Sequence, residues 1–217
     1  MGALDTYNAR TRRLLTDADK QFWSDFVLND CINQARVRVA SDTKCLRQLI
    51  TNINLPTGQE VYNIIDTVNG GTPPNLGPYV IEVIAATVLW GNMRIRLQNR
   101  SFTEQDAKLR IFQSYITRPG SIAKMGANLI YFDPVPDHDY LSDWDVVIVP
   151  APLERDTDPE PLAIVYQTCV PYYAAHIAKY NEQSLTESSI FFTKYKEERA
   201  AATWGTSGML VRDAYRR

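Results

Sequence analysis

The sequence predicts an α+β protein: an α-helical bundle, built from an N-terminal helix and a C-terminal helical hairpin, carrying a β-rich insertion and an extended C-terminal tail. Three observations predict it. Apolar residues recur at helical spacing over 16–41 and again over 158–205. Between them, over 43–150, period-two alternation and β-branched runs take over, punctuated by Gly- and Pro-rich turns. The 217 residues are 45% apolar and 22% charged, enough for one sizeable core, so one domain spanning 1–217 with an insertion is expected.

The first helix is placed at 16–41, with Thr16 as the capping hydroxyl and Asp17 and Asp19 at the positive end of the dipole. Trp23, Val27, Cys31, Ala35 and Val39 form its apolar stripe, with Phe22 and Phe26 beside them, and the stripe reads as core. Residues 45–64 flank the turn Leu55-Pro56-Thr57-Gly58-Gln59 and read as a β-hairpin, although the stretch before the turn is compatible with helix or strand. Gly70 to Pro78 is a long loop, because proline removes backbone donors and glycine is costly to order. Two strands follow, over Tyr79 to Leu89 and Asn92 to Leu97, the second alternating Met93, Ile95 and Leu97 with Asn92, Arg94 and Arg96. Ser101-Phe102-Thr103-Glu104 has capping-box spacing and predicts a short helix near 102–113. Leu129 to Phe132 and Val146 to Val149 are again strand-like, across the proline-containing segment 133–137.

Helices return at 158–205. Asp158 is the expected cap, Leu162, Val165, Cys169, Tyr172, Tyr173, His176, Ile177 and Tyr180 the stripe, and Pro171 the expected kink. A second capping box, Ser184 to Glu187, starts the final helix, which is expected to stop at Gly205. The tail, 206–217, sets Met209, Leu210, Val211 and Tyr215 among charges and is a candidate partner-binding segment.

Composition excludes several classes. With 23 basic and 25 acidic residues the net charge is −2, which disfavours sequence-specific DNA binding but not a wall that DNA slides past. Cys31, Cys45 and Cys169 show no paired spacing, so buried thiols of a cytosolic protein are expected rather than disulfides or a zinc knuckle. Residues 1–8 hold no apolar run and no stretch approaches the ~20 apolar residues of a membrane span, so a chain that is neither secreted by a signal peptide nor membrane-bound is expected.

The search for chemistry returns little. Asp133, Asp137, Asp139, Asp143 and Asp145 with His138 form an acidic cluster that a hydrolase or metal site would use, but the EF-hand glycine and closing glutamate are absent, and a solvated turn is the simpler reading. His176 lacks a second histidine one turn away and reads as a hydrogen-bonded core residue. Gly70-Gly71 is not followed by the lysine and hydroxyl of a phosphate loop, and no serine elbow is present. No catalytic residue, metal or cofactor is expected. Arg94, Arg96 and Arg100 are the wet face of a sheet, an inter-subunit contact, or a phosphate-facing strip. The tyrosines concentrated in the C-terminal hairpin, Tyr172, Tyr173 and Tyr195 among them, suit a core and an interface about equally.

The order of features resembles a known family. Residues 35–40 (ARVRVA), 43–47 (TKCLR) and 58–64 (GQEVYNI), then 128–137 (NLIYFDPVPD) and 171–178 (PYYAAHIA), are similar in sequence and order to the head-to-tail adaptor proteins of tailed bacteriophages, podovirus type. The resemblance implies a virion structural protein at the head–tail junction, made in the host cytoplasm. It implies a homo-oligomeric ring, commonly of twelve copies, that joins the portal protein to the tail nozzle or tail tube and lets double-stranded DNA pass during ejection. On that reading Met209, Leu210, Val211, Tyr215 and Arg216 contact the portal, and Tyr172, Tyr173, Tyr195, Arg94 and Arg96 lie between subunits. A monomeric tail-completion or assembly factor is the alternative, and a hydrolase using Asp133 to Asp145 a more distant one.

Overall fold

The computed structural model describes residues 2–64, 80–104, 116–126 and 129–206. The chain is mixed α+β, with five helices and two four-stranded sheets among the described residues. It divides into two compact units, one made of residues 1–45 with 150–217 and the other of residues 46–149.

The first unit is helical. The helix expected over 16–41 starts only at Asp25, as α2 (Asp25–Thr43), and an unexpected helix, α1 (Ala3–Leu15), precedes it. Thr16 does not cap a helix start; it ends α1, with φ 56 in the left-handed region. Asp17 makes the break. Its carboxylate accepts the amides of Gln21, Phe22 and Trp23 at 2.9, 3.2 and 3.1 Å, binding the backbone in a turn that competes with helix. The cap of α2 is Ser24, whose hydroxyl accepts the Val27 amide at 3.3 Å. In α2 the buried positions are Leu28, Cys31, Ile32, Ala35, Arg36, Val39 and Ala40, so the expected stripe holds at Cys31, Ala35 and Val39. It fails at its start: Phe22 and Phe26 are 82% and 83% exposed, and Val27 is exposed.

The remaining helices are α3 (Ile164–Gln167), α4 (Val170–Asn181) and α5 (Leu185–Thr206). Helix does not begin at Asp158, whose carboxylate instead accepts the amides of Glu154 and Arg155 at 2.8 Å each and closes a turn. Pro171 causes no kink, because it sits in the first turn of α4, where an amide would have no helical partner anyway. Helix α4 packs on α1, α2 and α5. Its buried face is Val170, Pro171, Ala174, Ala175 and Ala178, small side chains that let three helices approach one. The tyrosines of the expected stripe ride its flank, and Val165 and Tyr180 are exposed. The final helix passes through Gly205 to Thr206, the first residue of the tail expected over 206–217; the rest of that tail lies outside the described residues.

Buried charges tie this unit together. Arg12 donates to Asp17 Oδ2, Asp25 Oδ1 and the Trp23 carbonyl, each at 2.8 Å. Arg36, almost fully enclosed, grips both oxygens of Glu160 at 2.9 and 3.1 Å and the Ala151 carbonyl at 2.7 Å. Asp42 receives the Tyr195 hydroxyl at 2.8 Å, Arg199 at 2.7 Å and Arg38 at 3.1 Å. The three cysteines are free. Cys31 and Cys169 are buried and desolvation pushes both thiols up to about 11, so neither is a thiolate at neutral pH; Cys45, expected buried, is only half so.

The second unit holds the strands β1 (Arg47–Leu55), β2 (Val61–Asn63), β3 (Val80–Trp90), β4 (Met93–Arg96), β5 (Gln98–Arg100), β6 (Ser121–Met125), β7 (Leu129–Asp133) and β8 (Tyr140–Ile148). One sheet has the order β1-β8-β3-β4, the other β2-β7-β6-β5. The expected hairpin over 45–64 is therefore not one: β1 pairs with β8 and β2 with β7, in different sheets. The turn between them carries the chain from sheet to sheet, with Gly58 at φ 76. By contrast β3 and β4 do form a hairpin, turning at Gly91 with φ 58. Both sheets supply one core, in which Leu55, Tyr62, Val83, Ile130, Phe132 and Trp144 are buried together. The Trp144 indole donates to Ser142 Oγ at 2.8 Å, and that hydroxyl donates to the Thr87 carbonyl at 2.8 Å, so the largest buried ring has its polar atom satisfied. The expected helix near 102–113 is seen at 102–104, where Ser101 Oγ accepts the Glu104 amide at 3.3 Å; the rest of it, and the 70–78 loop, lie outside the described residues.

Candidate interaction surface

The acidic cluster is not one site. Asp133 ends β7 beside Ser121 and Arg100; Asp143 and Asp145 lie on β8, the first buried against the Asn52 amide at 3.1 Å and Arg94 at 3.3 Å, the second bound to Arg47. Asp137 accepts the Tyr140 hydroxyl at 2.7 Å, and Asp139 accepts from Thr57. Only 137 and 139 sit in the expected turn, and both are held below the ordinary carboxylate range by these donors. Each carboxylate has its own structural partner, and among the described residues no three His, Cys, Asp or Glu side chains gather where one metal ion would fit.

The aromatic residues of α4 and α5 separate into two kinds. Tyr195 is fully buried in its own unit, its hydroxyl spent on Asp42, and burial together with that carboxylate raises its pKa. It has no surface left for a second subunit. Tyr173 is half-buried, with its ring 4.8 Å from that of Tyr195 and 5.3 Å from that of His176. His176 Nδ1 lies 2.8 Å from Ser188 Oγ, which joins α4 to α5 and accounts for the histidine without a metal. Tyr172 instead lines a groove of about 300 Å³ with Arg10, Arg13, Leu14, Thr168, Pro171 and Glu198. A second groove of about 260 Å³ starts from the same Leu14 and reaches Ile190 and Phe191.

In the second unit Arg94 and Arg96 stand exposed on β4, an edge strand; Arg94 pairs with Asp143. The hairpin tip beside them exposes Trp90 and Met93, with the Arg118 guanidinium 4.7 Å from the Trp90 ring centre. Met209, Leu210, Val211, Tyr215 and Arg216 lie outside the described residues. Sequence reasoning missed Phe22, Phe26, Leu185, Ile190 and Trp204 as surface residues; Trp204 is 83% exposed. For α5 the missed signal was its burial period, since among its described residues Ser188, Tyr195 and Ala202 are buried, one in seven.

The described residues expose many large apolar and aromatic side chains, the chemistry of assembly. A protein-family model described as SU10 adaptor protein matches residues 3–214. The chain belongs to the SU10 adaptor protein family. Comparison of this SU10 adaptor with curated proteins finds no match. The family makes the adaptor a structural component of a phage virion, which acts through contacts with other head and tail proteins. No helix among the adaptor's described residues is long and apolar enough to cross a membrane.

Proposed function

We propose that copies of this adaptor close into a ring, of twelve by the family resemblance, that docks on the portal at the head–tail junction, offers its other face to the tail nozzle and encloses a conduit for double-stranded DNA. The observation that carries this reading is the apolar surface left on the helical unit: Phe22, Phe26, Leu185, Ile190 and Trp204 are all exposed. Large apolar and aromatic side chains of this kind suit permanent oligomer contacts, which are more hydrophobic than transient ones. Helix α5 supports it further, because a 22-residue helix that buries one position in seven has most of its surface available to a neighbour.

Tyr172, Tyr173, Arg94 and Arg96 remain candidate subunit contacts; Tyr195 leaves that set. Met209, Leu210, Val211, Tyr215 and Arg216 are the proposed portal contacts, apolar side chains set among charges. The net charge of −2 suits a wall past which phosphates move without being gripped.

Negative-stain microscopy and native mass spectrometry of the purified chain, alone and mixed with portal rings of the same phage, test the reading. Rings alone or on the portal are expected, with portal binding lost on deletion of 207–217. A chain that stays monomeric and ignores the portal would instead be a monomeric assembly factor.

A further inference from the structure

Two features of the helical unit are complementary. The first is a knob: Phe22 lies in the bend before α2 and Phe26 in its first turn, each more than four-fifths exposed. Residues 17–30 hold four aspartates against one lysine, and Asp19 and Asp30, on either side of the two phenylalanines in sequence, are exposed. This is an acidic apolar projection held rigid at its base, because Asp17 binds three consecutive amides there, Phe22's among them, and Arg12 clamps the Trp23 carbonyl and Asp25.

The second is the groove along α1, with Leu14, Pro171 and Tyr172 as its apolar wall and floor. Arg10 and Arg13 stand at its rim without an ion-pair partner among the described residues, facing a single carboxylate, Glu198. Two guanidiniums one turn apart beside an apolar floor ask for an aromatic ligand flanked by carboxylates.

Arg12 reaches from α1 to the start of α2, while of the groove residues Arg13 stands about 100° and Arg10 and Leu14 about 200° round the helix from it, so knob and groove are different surfaces of the helical unit. Two different surfaces that fit each other on one molecule generate head-to-tail contacts, which close into rings when the rotation allows. We propose that Phe22 and Phe26 of one copy insert into the groove of the next, with Asp19 and Asp30 meeting its Arg10 and Arg13. The inference rests on the ring reading and specifies its subunit contact.

The test uses two full-length double variants, Phe22→Ser with Phe26→Ser, and Arg10→Glu with Arg13→Glu. All four residues are exposed, so the melting temperatures should match the parent chain and report intact folding. Native mass spectrometry, under whichever condition gives rings of the parent chain, is expected to find each variant alone monomeric. Their mixture should give one-to-one pairs and nothing larger, since one sound knob and one sound groove remain per pair. Rings from either double variant, or a mixture that yields no pairs, overturn the contact and leave the ring reading standing. A parent chain that forms no ring, alone or on the portal, overturns the ring reading itself.

Discussion

Arg36 shows how a charge becomes structural. Its guanidinium is enclosed in the helical unit with both Glu160 oxygens, a carbonyl and Asn33 around it, and each of its three nitrogens donates at least one hydrogen bond. Removing one partner strands the other charge in a poorly solvated site, a loss of about 3–5 kcal/mol, whereas removing both is milder. Arg36→Met should therefore unfold at markedly lower urea than the parent, and adding Glu160→Leu should recover much of the loss; a double variant as unstable as the sum of the singles would refute the pairing. Asp42 predicts the acid limb. Burial works against its charge, but the Tyr195 hydroxyl, Arg199 and Arg38 outweigh it and hold its pKa below the ordinary 3.8. A lowered folded pKa means that its stabilisation is complete above the unfolded value and is lost as pH falls through the folded one. Urea midpoints should thus drop below about pH 4, and Asp42→Asn should be less stable at pH 7 with a flatter decline in acid.

Helix α4 and helix α5 divide the work of the bundle differently. The first touches three helices through alanine, so its packing depends on the absence of bulk: Ala174→Leu should cost about 1–3 kcal/mol by overpacking, measured as a lower urea midpoint at unchanged helicity. The second is nearly free on its outer side, and Ile190→Ala should change stability by less than about 0.5 kcal/mol. If both substitutions had equal effects, the burial assigned to the two helices would be wrong. The strands show a similar division. β8 lies between β1 and β3 and presents Trp144 and Val146 to the core, while β4 and β1 are edges. Edge strands that carry Arg94, Arg96 and Arg47 are protected from unplanned pairing by charge.

Across the molecule, the β-rich unit is entered and left at neighbouring points, with the Ile148 amide donating to the Leu46 carbonyl at 3.0 Å. It owns a core drawn from both its sheets, and a unit with its own core folds by itself. A fragment of residues 46–149 is therefore expected to unfold cooperatively, with a near-ultraviolet signal from the buried Trp144 that disappears in the same transition. A broad, non-cooperative melt would show that the helical unit is needed to hold the strands.

Local chemistry wrote much of this into the chain. The alternation of 92–97, the β-branched run before it, the capping serine at 101 and the collinear segments shared with phage adaptors were all readable, because period, caps and turn residues act over a few neighbours. Partner choice was not. β1 and β2 have strand patterns and a turn between them, yet each pairs with a strand some 70 to 100 residues away, because burial in two facing sheets outweighs the proximity that favours a hairpin. The break at Asp17 was hidden because aspartate suits a helix start as well as a turn; which role it takes depends on Arg12 arriving beside it. Phe22 and Phe26 show the same limit from the other side. Their spacing sets them beside the apolar stripe of a helix, but whether they are core or interface depends on what packs against them, and both stand more than four-fifths exposed.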